Sequence, residues 1–523
     1  MLACAPRAAL APATPNPSTS TATESTAWRQ APPSGSSLIP SPNGTPSAPE
    51  SCSALLAHGA EGCPAGAAHD LLSAALSNTD EKLRDAGLAC LENAPDFPAG
   101  LVRALRAELA RRECADVVAL PFVEANLEKL ERPLADALIA LSIAGRLTRL
   151  VRQAPVLPPP FDKAQFMAFF TSTLQPWVVA QASAIQALAV PGPRLSPYAK
   201  GVVAVESGLA DMRFVSVVRD VPLPEEMKSD AEVRDAYYIA LDEALEPRKT
   251  RGRDAALVGL RELAELGITH DARVDEARAL LSQLFSGRRI NALDPLLLPE
   301  LAALPQPTTE QRLAALLPTF YANRLLGEVA LDEPILRAFL EQGLPSRIEQ
   351  RLKTSKLGDV GYELYARALV ERGQRYFRAA DFRDARAVAA QAGRPTDALS
   401  LYGALGHALE LGYSDPTEIL SGKLLEERQI QIADLDRIAA RRGPLTGLAA
   451  FDAAFLLTLP ARSNATSPTA ANDRAFGNDL VARFARAERT LPAPLKATAR
   501  EYGEAARQTQ KAMQAIARPA AKP

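Results

Sequence analysis

Five cysteines and four histidines are the residues of this 523-residue chain best suited to chemistry. Cys52, Cys63, Cys90 and Cys114 crowd into one segment, and no cysteine follows Cys114. An even, clustered set is the pattern of a disulfide-stapled segment; four reduced cysteines packed as small hydrophobes are the alternative. His58 and His69 stand near Cys52 and Cys63, which invites a metal reading. The spacings are not those of a zinc module and no CxxC pair occurs, so no metal ligands are nominated. His270 stands beside Asp271 in a predicted loop and His407 in a predicted helix. Surface exposure and packing account for them, and neither lies in a nucleophile motif. Walker-type loops, GxGxxG, HExxH and EF-hand loops are absent, so no cofactor and no catalytic residue is expected. Glu225, Glu226, Asp230, Glu232 and Asp235 could hold a cation, but acids at a helix start are favoured by the helix dipole, which is the reading adopted. Arg248, Lys249, Arg251 and Arg253 lie between acidic helices without interleaved aromatics, and are expected to form a solvated basic turn. The sequons at Asn43 and Asn464 matter only in a eukaryotic secretory setting.

Helices must position these groups. Alanine, leucine and arginine dominate, aromatics make up 5%, and β-branched runs are scarce, which favours helix almost throughout. A net charge of −2 gives no pull toward nucleic acid or anionic membrane. No apolar stretch is long enough to cross a bilayer. The Ala/Arg/Pro bias is the kind a GC-rich bacterial genome produces.

Short helices are predicted at about 51–59, 67–77, 80–93 and 98–113. Asp80 caps one whose Leu83, Gly87, Cys90 and Leu91 face inward. Pro98 opens the next, with a stripe of Leu101, Leu105 and Leu109, and Pro133 opens another with Leu134, Leu138 and Leu141. If successive helices run antiparallel, Cys52 and Cys114 fall at one end of the stack and Cys63 and Cys90 at the other. Cys90 and Cys114 would then be about 20 Å apart at 1.5 Å per residue. A disulfide needs Cα atoms within about 7 Å. The predicted pairs are therefore Cys63–Cys90 and Cys52–Cys114. The segment LSNTDEKLRDAGLACLENA resembles a HEAT-type repeat, which implies stacked helical hairpins.

Further along, VLPPPF at 156–161 is a stiff break. Helix is expected over 166–189, carrying Phe169, Phe170 and Trp177. Residues 190–224, with Pro191, Pro193, Pro197 and the run 214–218, read as an irregular crossing, either a short strand or extended chain. Helices return at 231–245 and 254–266, the second closing at Gly267. A second irregular connection spans 291–307. Thr308 and Gln311 form a capping box for a helix to Leu326, and Asp332 and Pro334 start another that stops at Gly343.

The stretch ARALVERGQRYFRAADFRDARAVAAQA carries the clearest architectural signal. Leu369, Gly373 and Tyr376 share one helical face; Ala379, Ala380 and Asp381 make a corner; Phe382, Ala385, Ala389 and Ala392 face inward from a second helix. The small-large alternation resembles one tetratricopeptide (TPR) unit, departing from that pattern at Arg372 and Asp397. Its successor, LYGALGHALELG, starts alike and loses register by Pro416. Amphipathic helices follow at 423–442 and 445–458.

Residues 5–50 are almost devoid of large apolar side chains and are expected to be a disordered tether. Met1-Leu2-Ala3-Cys4 ahead of them resembles the end of a bacterial lipoprotein signal, which implies lipidation of Cys4; the charged and hydrophobic parts of such a signal are missing. The expected organisation is an all-α chain: a tether over 1–50, a HEAT-like Cys-containing segment over 51–155, and a central helical region over 156–300. TPR-like repeats over 301–460, a loop at 461–473, capping helices over 474–518 and a tail at 519–523 complete it. Together the resemblances imply a non-catalytic α-solenoid scaffold. It would bind a protein or peptide, meet a membrane only through a lipid anchor, and face the periplasm. The alternatives are an all-α enzyme with a site built across helices and a cytoplasmic TPR-like regulator.

Overall fold

The computed structural model describes residues 38–56, 63–152, 155–159, 161–269, 271–284, 293–301, 308–325, 333–341, 345–352, 358–376, 378–410, 432–458 and 470–516. Every regular element among them is helical. The chain opens with α1 (Glu50–Ser53), α2 (Ala68–Leu76), α3 (Glu81–Ala89), α4 (Leu101–Leu109), α5 (Ala115–Asn126) and α6 (Arg132–Arg149). It continues with α7 (Lys163–Phe169), α8 (Gln175–Ala189), α9 (Pro197–Arg219), α10 (Glu225–Ser229), α11 (Ala231–Glu265) and α12 (Ala272–Leu284). Next come α13 (Thr309–Leu316), α14 (Thr319–Leu325), α15 (Glu333–Glu341), α16 (Pro345–Leu352), α17 (Asp359–Tyr376), α18 (Ala379–Gln391) and α19 (Asp397–Leu409). The last are α20 (Ala433–Ala440), α21 (Thr446–Thr458), α22 (Ala470–Thr490) and α23 (Ala493–Ile516).

Local chemistry explains many boundaries. The Asp80 carboxylate accepts from the N–H groups of Lys82 and Leu83, and Asp230 does the same for Glu232 and Val233. Thr308 and Gln311 cap each other reciprocally. Pro133 sits in the first turn of α6, where its missing N–H costs nothing. At the end of α11, Gly267 takes φ 76°, and the Ile268 N–H reaches back to the Leu263 carbonyl.

The described residues form two large cores and a small third one of Leu157, Phe166, Phe169, Leu174, Val221 and Leu223. The larger gathers side chains from Ile39 to Tyr376; the second runs from Leu293 to Ala506. Helix α17 serves both, giving Leu364, Ala368 and Tyr376 to the first and Ala366, Leu369 and Val370 to the second. Neighbours in sequence pack together through α17, α18 and α19 and again through α20 to α23. In the larger core, by contrast, α2 packs on α13, and the Thr309 hydroxyl donates to Asp70 at 3.0 Å.

The α17–α18 hairpin brings its small and large residues together. A Cβ on Gly373 would fall 2.9 Å from the Phe382 ring, so the glycine makes room for the aromatic. Leu369, Tyr376, Ala385 and Ala392 are buried and Ala389 is half-buried. Arg372, the departure from the TPR pattern, is buried and holds Asp381 through two hydrogen bonds of 2.8 and 2.9 Å. The corner falls one step earlier than expected, because Ala379, Ala380 and Asp381 already belong to α18.

Four expectations are corrected. Residues 190–224 are not an irregular crossing: α9 runs unbroken from Pro197 to Arg219 and takes the 214–218 run into helix. Pro197 starts this helix instead of breaking it, and burial on nearly all sides removes the amphipathic period that would mark it. The basic stretch is likewise no turn, since α11 is one 35-residue helix with Pro247 inside it. Residues 38–50 of the expected tether are docked against the helices. Ile39 is fully buried, and Arg146 and Arg149 donate to the carbonyls of Ile39, Pro40 and Pro46. Leu83, expected inward, is 61% exposed, while Leu88 and Leu91 fill the interior. Smaller shifts are the break at Leu317–Pro318 between α13 and α14 and the start of α22 at Ala470, inside the expected loop.

Helices α9 and α11 cross antiparallel through two glycines on each, spaced by seven: Gly201 and Gly208 face Gly259 and Gly252. A Cβ on Gly259 would lie 2.7 Å from the Val205 nitrogen and 2.8 Å from the Gly201 carbonyl oxygen, both backbone atoms that cannot swing aside. Gly259→Ala is therefore expected to destabilise the protein by about 1–3 kcal/mol. Gly443→Ala, where the added Cβ meets nothing within 4 Å, should change little. Urea unfolding of the two variants checks the contrast, and equal midpoints would show that the helices can part at no cost.

Candidate functional site

The four clustered cysteines form two disulfides, Cys52–Cys114 with Cα atoms 5.2 Å apart and Cys63–Cys90 at 5.5 Å. These are the pairs that alternating short helices bring together. Cys4, His58 and His270 lie outside the described residues. The other histidines are apart from the cystines' sulfur chemistry. His69 meets the Phe97 ring edge-on, and His407 on α19 contacts Asp434 on α20 at 2.7 Å. Among the described residues no group of His, Cys, Asp or Glu is placed to hold a metal ion, and no helix is long and apolar enough to cross a membrane.

The densest polar constellation is buried at the junction of α4, α6, α9 and α12. Glu206, fully buried on α9, pairs with Arg112 and lies 3.5 Å from Arg273, and accepts from the Thr148 hydroxyl. Arg273 also donates to Glu108 and Asp271, and Arg112 and Arg213 converge on Glu276. The Tyr198 hydroxyl donates to Glu108 at 2.7 Å. Burial alone would depress the Arg273 guanidinium, but Glu108, Asp271, Tyr198 and Glu206 hold it well above its usual value. Burial, reinforced by Glu108, pushes the Tyr198 hydroxyl well up, so it stays protonated and donates. These charges pair with one another, which is the chemistry of a clamp, although Arg273 Nε and Arg213 Nη1 make no hydrogen bond. A second clamp corrects the reading of the basic stretch: Arg248 and Arg251 both donate to the fully buried Asp211 on α9. In the second core, the Leu297 N–H donates to Asp452, and burial raises that carboxyl well above its ordinary range.

The accessible candidate site is apolar. Of the exposed large hydrophobics, Val156, Met167, Phe170, Val179, Val190, Val233 and Ile239 all come from the stretch 156–239, whereas only Leu83, Val258, Val360 and Phe476 lie elsewhere. Val179 lies in the wall of a groove of about 690 Å³. One wall is a row at four-residue spacing, Thr171, Gln175, Val179 and Ser183, and the other is Pro42 and Asn43. Between α7 and α8, Phe170–Leu174 forms a π-helical turn, which widens the helix where the groove begins. Gly44 turns the second wall with φ 89°, and its carbonyl accepts from Gln181 on α8 at 3.0 Å. No charged side chain lines this groove. Sequence reasoning missed it because one of its walls, Pro42 and Asn43, comes from residues read as tether. Comparison of the chain with protein-family models, curated proteins and solved structures gives no match.

Proposed function

We propose that this chain is a non-catalytic helical-repeat scaffold whose groove between residues 42–43 and 171–183 takes an uncharged, apolar segment of another protein. The observation that carries this reading is an uncharged groove with the exposed side chain of Val179 in its wall. The neighbour-on-neighbour packing of α17 to α19 and α20 to α23 supports a solenoid-like arm, with the TPR-like hairpin as its clearest unit. Lipidation of Cys4 would tether the scaffold to a bacterial envelope, with the two disulfides suited to the periplasm. Carboxylates, an arginine and a histidine around one cavity would favour the enzyme reading. The half-open cavity beside α14 contributes an arginine but neither of the others.

The test is photo-crosslinking in the native host, with a benzophenone side chain placed at Ser183. One protein adduct is expected, insensitive to salt because the groove is uncharged. Val179→Asp should reduce it at least about tenfold, as a charge buried against an apolar partner does, while leaving the unfolding midpoint unchanged. An adduct that Val179→Asp leaves intact, or no adduct at all, overturns the groove reading. Intact mass of the native protein tests the anchor: a chain that begins at Met1 or Leu2 removes it.

A further inference from the structure

We infer that the half-open cavity between α6, α9, α14 and the turn at 266–268 is a binding site for a small monocarboxylate with an apolar body. The cavity holds about 170 Å³ and is lined mainly by Pro133, Pro197, Leu266, Ile268, Tyr198 and Phe320. Its floor is a stack: Phe320 lies on Tyr198 with ring centroids 4.1 Å apart and planes 15° from parallel. The Arg324 guanidinium covers the other side of Phe320, 3.7 Å from the ring centroid.

Arg324 departs from the rule set by the other arginines of this interior. Arg106 pairs with Asp85, Arg149 with Asp116, Arg273 with Glu108, and Arg372 with Asp381. Half-buried Arg324 has no carboxylate partner among the described residues; its one hydrogen bond, at 3.3 Å, goes to the Phe320 carbonyl of its own helix. Among the described residues that bond engages one of the five N–H donors of the guanidinium. Burial depresses it, and Tyr321, Glu131 and Tyr198 offset that only in part. Two further polar atoms of the same cavity, Ser196 Oγ and Asn323 Oδ1, are buried and have no partner.

A guanidinium with no carboxylate partner among the described residues and a free hydroxyl beside an aromatic floor make a site for a carboxylate head and an apolar body. The guanidinium and the Ser196 hydroxyl donate to the carboxylate oxygens. The apolar lining and the Tyr198–Phe320 stack take the hydrocarbon. The size of the cavity restricts the ligand to a short branched or single-ring acid.

The full chain would be titrated with benzoate, isovalerate, acetate and the neutral amides benzamide and isovaleramide, followed by ligand-observed NMR and calorimetry. Benzoate or isovalerate should bind saturably, and the matching amide and acetate at least about tenfold more weakly, since a charge-assisted pair contributes roughly 1.5–3 kcal/mol. Arg324→Gln should lose about tenfold in affinity and Ser196→Ala a few-fold. Arg324 also packs on Phe320, so thermal unfolding accompanies each variant; if Arg324→Gln does not fold, Ser196→Ala decides. Absence of saturable binding, equal binding of acid and amide, equal binding of acetate and benzoate, or a folded variant that binds like the parent would each overturn the inference.

Discussion

Replacing Arg273 by methionine is expected to lower the unfolding free energy by about 3–5 kcal/mol, the cost of leaving buried charges without their partner. Arg273 is 5% exposed, and three carboxylates, Glu108, Glu206 and Asp271, contact its guanidinium. Methionine fills much of the same volume, so the loss isolates charge from packing. Arg112 still pairs with Glu206 in the variant, but Glu108 keeps only the Tyr198 hydroxyl. The effect should therefore centre on the α4–α12 contact. Arg273→Lys, which keeps the charge and loses the planar fork, should cost less. Arg261→Met, at an exposed i,i+4 pair with Glu265, should stay within about 0.5 kcal/mol. Urea unfolding followed by circular dichroism reads all three. If Arg273→Met cost no more than Arg261→Met, the constellation would be solvated and its description as a closed clamp would be wrong.

The same constellation shows what could be read in the sequence. Helix caps were legible because their chemistry is local: Asp80, Pro133 and the Thr308–Gln311 pair act within one turn. The cysteine pairs were legible because alternating short helices leave few geometries. Helix α9 was not, since it is buried on nearly all sides and gives no 3.6-residue period. Nor was the continuity of α11, because the Arg248 and Arg251 side chains answer to Asp211, a residue of another helix. The glycines that let these helices approach stand seven apart on each, a signal visible in the sequence but meaningful only once both are known to be helical. The docking of residues 38–50 escaped for a related reason. That segment is held by its backbone carbonyls and by one buried side chain, Ile39, so composition gives little warning of order. Both walls of the groove thus depended on partners distant in sequence.

Removing the Cys52–Cys114 bond by Cys52→Ala with Cys114→Ala should cost about 4 kcal/mol, on the entropy of closing a loop with a sequence separation of 62. The Cys63–Cys90 bond, with a separation of 27, should contribute about 3.5 kcal/mol. Stability alone barely separates the two, but their structural consequences differ. Cys52 is fully buried and fixes the end of the segment that supplies Pro42 and Asn43 to the groove. Cys63 and Cys90 tie the approach to α2 to the end of α3, away from that wall. Loss of Cys52–Cys114 should therefore raise hydrogen exchange across 38–50 and weaken the Ser183 crosslink, and loss of Cys63–Cys90 should do neither. Contacts from Arg146, Arg149 and Gln181 would remain in both variants. If exchange across 38–50 stays slow without Cys52–Cys114, those hydrogen bonds hold the groove wall by themselves, and the disulfide acts only on the unfolded chain.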